Sequence, residues 1–207
     1  APPIKAMGKP KLWKGVGDLK ILVSSENQAA EDHVKQGFAL LHAQWDIEAY
    51  RHFAAALEAD DDCLLAYCGV VMSMLNPEHE WKSYRNIALN RMVTLCEHQQ
   101  MFGKEGDPGA GMIYTFPKNE RGFAIAIAQL LTEGYAKGTQ SIIALADKYP
   151  NDIQFSLMAP FLSRGKYDIF GQPNEAQEVA VKRVKEIMND NPDNPLTINF
   201  YIMMLIE

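Results

Sequence analysis

The chain is poor in the residues that build most recognisable frameworks and active sites. It has three cysteines in 207 residues, Cys63, Cys68 and Cys96, and no C-x-x-C spacing. So few thiols, odd in number, exclude a disulfide framework. Two readings of them remain open. One pair, Cys63 with Cys96, can bridge in an oxidising compartment, or all three are buried thiols acting as small apolar side chains. No run of about 18 apolar residues is present, so no segment reads as a membrane-spanning helix. Positive charge is scarce too. Lys and Arg number 20 against 26 Asp and Glu, the formal net charge is -6 and the pI is near 5.4. Neutralising many phosphates needs a basic face, so a nucleic-acid partner is not expected. No segment alternates apolar and polar residues in the manner of a strand.

Motifs that carry chemistry are equally sparse. The histidines are His33, His42, His52, His79 and His98, and no two stand four apart as zinc ligands on one helix would. His42 and His52 can meet across a helix hairpin, but no third ligand is evident. Glu31-Asp32 and Asp60-Asp61-Asp62 are acidic clusters, and paired carboxylates do acid–base work only when buried together. At Asp60–Asp62 a helix start is explanation enough, since Asp caps N-termini and complements the dipole there. The run 103–111 is glycine-rich but lacks the order of a phosphate loop. No Gly-x-Ser-x-Gly elbow occurs. The expectation is therefore no catalytic residues, no metal and no cofactor.

What the chain does have is apolar content, 47% of residues, set at helical spacing. Residues 1–24 form a basic arm, with Lys5, Lys9, Lys11, Lys14 and Lys20 against Asp18. Ser25-Glu26-Asn27-Gln28 reads as a capping box that opens a helix from Ser25. Ala30, Val34, Gly37, Phe38 and Leu41 form one stripe; Ala49, Phe53, Ala56 and Leu57 form the next. Leu64–Leu75 is almost wholly apolar. Trp81, Tyr84, Ala88, Met92 and Leu95 repeat at helical spacing, and 103–118 is a loop. Helices return near 119–135, 138–149, 152–164, 174–190 and 195–207, separated by Gly and Pro breaks, with Gly134 and Gly138 taken as one of them. Such a chain of short-linked helices buries its faces only by stacking one pair on the next. The domain reading is an arm, 1–24, followed by one helical domain, 25–207.

The segment 33–66 resembles a tetratricopeptide repeat. Gly37, Ala49, Phe53 and Ala56 stand at that family's small and bulky positions, while Asp61 replaces its closing Pro. Ala66-Tyr67 follows one repeat length later. A second unit looks similar through Ala126, Gly138, Ile142, Leu145 and Pro150. The run Asp62 to Gly69 is also similar to one found in a group of exported bacterial repeat proteins. That group carries a His-rich helix where Asn199-Phe200-Tyr201-Ile202 stands here without His, so no role of those histidines transfers.

The resemblance implies an all-α, right-handed superhelical stack of antiparallel hairpins, a TPR-like α-solenoid. It implies a concave partner-binding groove lined by Phe38, Leu41, His42, Cys68, Met72, Leu75, Phe123, Ile127 and Leu131. The expected function is a protein- or peptide-binding scaffold or assembly subunit rather than an enzyme. The alternative is a small-ligand or metal-binding protein, or an enzyme, with a site near His42 and the 103–118 loop. The end Phe200–Glu207 is apolar to its last residue, which fits a chain that runs on or a helix docked in a homo-oligomer or larger assembly. The start, Ala1-Pro2-Pro3 without Met, fits a signal-peptidase cut and hence a periplasmic or secreted protein, with an artificial start and a cytoplasmic location as the alternative.

Overall fold

The structure, a computed structural model, describes residues 7–17, 19–75, 81–102 and 116–206. Among them are nine helices: α1 (Gln28–His42), α2 (Asp46–Ala59), α3 (Leu64–Met72), α4 (Lys82–Phe102), α5 (Lys118–Thr132), α6 (Tyr135–Lys148), α7 (Ile153–Ser163), α8 (Glu175–Asp190) and α9 (Pro195–Ile206). No strand occurs among the described residues, only an isolated antiparallel bridge between Tyr167 and Pro173. The protein is all-α, and none of its described helices is long and apolar enough to cross a membrane.

Helix starts follow local hydrogen bonding, with two departures from the sequence reading. Asn27, not Ser25, caps α1, its side chain accepting from the Ala29 N–H at 3.0 Å. The Ser25 hydroxyl instead donates to the Asp60 carboxylate at 2.5 Å, which ties the start of α1 to the end of α2. Cys63 occupies the cap position of α3 without a side-chain bond. Two of the three aspartates are spent on the turn before it. Asp60 accepts from the Asp62 N–H, and Asp62 pairs with Arg91 of α4. They hold a corner. In the later chain only Gly134 is a break, while Gly138 is helical and packs tightly on Leu130.

The turn from α1 to α2 is a Schellman motif. The Gln44 N–H bonds the Leu41 carbonyl at 3.0 Å, and the Trp45 N–H bonds the Leu40 carbonyl at 2.9 Å. This places Gln44 at φ 62°, in the left-handed region where a Cβ is strained. Gln44→Gly is therefore expected to stabilise the fold by about 0.5–1 kcal/mol, read as a raised urea midpoint at unchanged slope.

Each helix packs on the next along the chain. The odd-numbered helices also meet one another, α1 with α3 and α3 with α5. Finally α9 touches both α7 and α1, so the last helix comes back to the first. A column of rings runs through the core, from Phe53 of α2 to Phe38 of α1 (4.8 Å), Phe123 of α5 (5.9 Å) and Phe155 of α7 (5.5 Å). Phe53 lies between Gly37 of α1 and Gly69 of α3. A Cβ at Gly37 would stand 2.6 Å from the Phe53 ring, and one at Gly69 closer still. Three helices approach here because two of them present no side chain.

Candidate functional site

The arm lies against α1 and the N-terminal parts of α3, α5, α7 and α9, and the C-terminal ends of α1, α3 and α7 meet at a cavity. The arm meets all five odd-numbered helices. The Trp13 N–H donates to the buried Gln36 side chain of α1 at 2.6 Å. Gly17, at φ 99°, lies against α9, where a Cβ would meet Leu196 at 2.5 Å. Ile21 and Leu22 border a small crevice with Leu65 of α3 and with Gln154 and Phe155 of α7. Ser24 donates its N–H (2.7 Å) and its hydroxyl (2.5 Å) to Glu120 in the first turn of α5. Leu19 and Ile21 are buried, as is Glu120, whose carboxyl burial pushes above its usual range. The arm is thus the floor of the structure rather than a loose terminus.

The other end is open. A cavity of about 660 Å³ lies where α1, α3 and α7 finish. Leu41 and His42 of α1 line it, with Gln44 from the turn and Asp46, Ile47 and Tyr50 from the start of α2. Met72, Ser73, Met74 and Leu75 come from the end of α3, followed by Trp81. Met158, Phe161 and Leu162 of α7 and Phe200 and Met203 of α9 complete the wall. Phe200 locks the closure, its ring meeting His42 at 5.3 Å and Phe161 at 5.7 Å. The volume lies within the usual range of small-ligand sites.

His42 is buried, and burial lowers its pKa to about 4, so it is neutral at physiological pH. Its Nε2 has no hydrogen-bond partner among the described residues. Asp46 is partly buried, which raises its carboxyl pKa. The cavity's serine, Ser73, donates to the Val70 carbonyl of its own helix end. The meeting of His42 with His52 that the sequence allows does not occur. His52 faces His33 instead, Nδ1 to Nδ1 at 3.0 Å, between α1 and α2.

The sequence-predicted groove residues divide. Leu41, His42, Met72 and Leu75 come together around the cavity. Phe38, Cys68, Phe123 and Ile127 have no exposure at all and belong to the core. They are covered because the ring column fills the space between α1, α5 and α7. Leu131 packs half-buried on the core, away from the cavity. Tyr50, Trp81, Met158, Phe161, Phe200 and Met203 were not anticipated. The near-total apolarity of α7 and α9 was the only signal for the last four, and nothing in the sequence singled out Tyr50 or Trp81 as lining residues. Most of the expected 103–118 loop lies outside the described residues.

Cys63, Cys68 and Cys96 are buried free thiols. Burial pushes Cys63 up to about 12 and Cys96 up to about 11, with Cys68 well above its ordinary value. All three are therefore protonated and unreactive at neutral pH. No group of three His, Cys, Asp or Glu that could hold a metal occurs among the described residues. Comparison of the chain with models of known protein families, with curated proteins and with solved structures finds no match.

Proposed function

We propose that this chain is a binding protein, built as a tetratricopeptide-like stack of helical hairpins, that receives a compact apolar group in the cavity at the C-terminal ends of α1, α3 and α7. The observation that carries the reading is the return of α9 onto α1. It turns a curved inner wall into a bounded chamber lined by four methionines and four aromatic rings, Tyr50, Trp81, Phe161 and Phe200. Methionine and aromatic side chains adapt to apolar guests without needing matched polar partners. An extended peptide along the whole inner wall fits less well, because the arm fills the N-terminal half and core packing takes the residues of α5. A role in catalysis has little support. The cavity's imidazole is neutral and buried, and the cysteines lie elsewhere with raised pKa values.

A neutral fluorescent apolar dye is expected to bind the full chain at one site per monomer. Ser73→Trp, which fills the chamber from its half-buried wall, should weaken that binding at least about tenfold while the helical signal is kept, a difference of about 1.4 kcal/mol. Equal binding by the variant would remove the cavity as the site.

A second surface supports the assembly reading. Ile198, Ile202, Leu205 and Ile206 stand exposed at helical spacing on α9. Association through this stripe is expected to show as a dimer in light scattering, reduced to monomer by Ile202→Lys.

A further inference from the structure

We propose that the chamber selects an organic cation, a protonated amine carried on a compact apolar body. This rests on the reading that the chamber is the binding site, and it adds the charge of the guest.

Three features of the wall converge. Among the described residues Asp46 is the only acidic or basic side chain of the lining apart from neutral His42, and no described Lys or Arg lines it. A helix start alone accounts for a carboxylate at residue 46, but not for a chamber without a cation to offset it. Second, the wall is rich in ring faces, which attract cations through their quadrupoles. Tyr50 and Trp81 meet edge to face, with centroids 6.1 Å apart and planes at 87°. Tyr50 lies one turn after Asp46, on the same side of α2, so carboxylate and rings share a corner.

The third feature is the direction of the helices. The ends of α1, α3 and α7 point their last carbonyls toward this side, the negative pole of each dipole. Two of these ends already hold a guanidinium. Arg85 donates to the Leu75 carbonyl at 3.1 Å. Arg164 donates to the Phe161 carbonyl at 2.7 Å, with its guanidinium carbon 3.9 Å from the Phe161 ring centroid. Carbonyl plus ring is thus a combination that this protein uses to hold a cation beside the chamber. Neither arginine lines the chamber itself. An anionic guest would meet the Asp46 carboxylate and the carbonyl ends, with no described Lys or Arg in the lining itself. A neutral guest would gain apolar contact alone.

The test is a matched set of probes sharing one apolar body: 4-phenylbutylamine, 4-phenylbutanol and 4-phenylbutyrate, titrated calorimetrically into the full chain near neutral pH. There the amine is protonated and the acid ionised. The amine is expected to bind about tenfold or more tighter than the carboxylate, with the alcohol between them. In Asp46→Asn the ratio of amine to carboxylate affinity should fall to within about threefold while the alcohol is unchanged. Trp81→Leu should lower the amine preference by an independent route, and serves if the first variant does not fold. Equal affinities, or a carboxylate that binds tightest, would overturn the charge selection while the alcohol still reports a working chamber. If the alcohol and its two companions all fail to bind, both this inference and the binding site beneath it fall.

Discussion

Lowering the pH from about 7 to about 4 is expected to destabilise the protein by several kcal/mol, through two buried histidines. His42 and His52 both have folded pKa values near 4, against 6.5 for the free side chain. Burial is the main cause at each. At His52 the His33 ring and the Arg51 charge add to it. Folding favours the neutral form, so this stability is fully present above pH 6.5. It is lost as the pH falls toward 4, at about 3 kcal/mol for His42 and less for His52, where neighbouring charges and solvent share the effect. His33, also lowered mainly by burial, shares one proton-dependent contact with His52, and only one of the two facing nitrogens can donate. Asp46, Glu120 and Asp152 act in the opposite sense. Their pKa values are raised in the fold, so the native state recovers some stability as they protonate at the acid end. The check is the urea midpoint as a function of pH for the parent and for His42→Phe. The variant should lose roughly half or more of the slope between pH 6.5 and 4; an unchanged slope would mean that His42 is not neutralised by the fold.

Phe53→Ala is expected to cost about 3–5 kcal/mol, the usual range for emptying a buried aromatic site. The ring has no exposure and is held by Phe38 and by two glycines on different helices. Gly69→Ala should cost about 1–3 kcal/mol on its own, because the added methyl collides with the ring. In the double variant the methyl enters the space the ring has left, so the two losses should not add. A double-mutant cycle in chemical denaturation reads this coupling, expected at about 1 kcal/mol or more in favour of the double variant. Strict additivity would mean that Phe53 does not nest between α1 and α3.

The elements of this fold were legible because their signals are local. Apolar spacing located every described helix to within a few residues, and Gly37, Ala49, Phe53 and Ala56 marked the first pair and its close contact. Caps were read less well. Ser25 and Asp60 each have a side chain that can cap, and each is diverted to a bond with the other. Nothing in either local sequence predicts a partner 35 residues away.

The site was half legible for a related reason. Position on the first helix of a repeat distinguishes inner from outer residues, and it found Leu41, His42, Met72 and Leu75. It does not say how far along the inner wall a neighbour reaches. Phe38 and His42 are one turn apart on α1, yet one meets the ring column and the other the chamber. The ring column takes Phe38 and the returning α9 meets His42, and both are properties of the whole stack.

Methionine supplies the most direct measurement of the central claim. Of ten methionines, Met72, Met74, Met158 and Met203 line the chamber, while Met92 and Met204 are buried elsewhere. Titrating 4-phenylbutanol into protein labelled with carbon-13 at the methionine methyls should shift those four resonances together, with one apparent affinity. A titration that moves Met92 instead, or leaves the four in place, would contradict a guest held between the C-terminal ends of α1, α3 and α7.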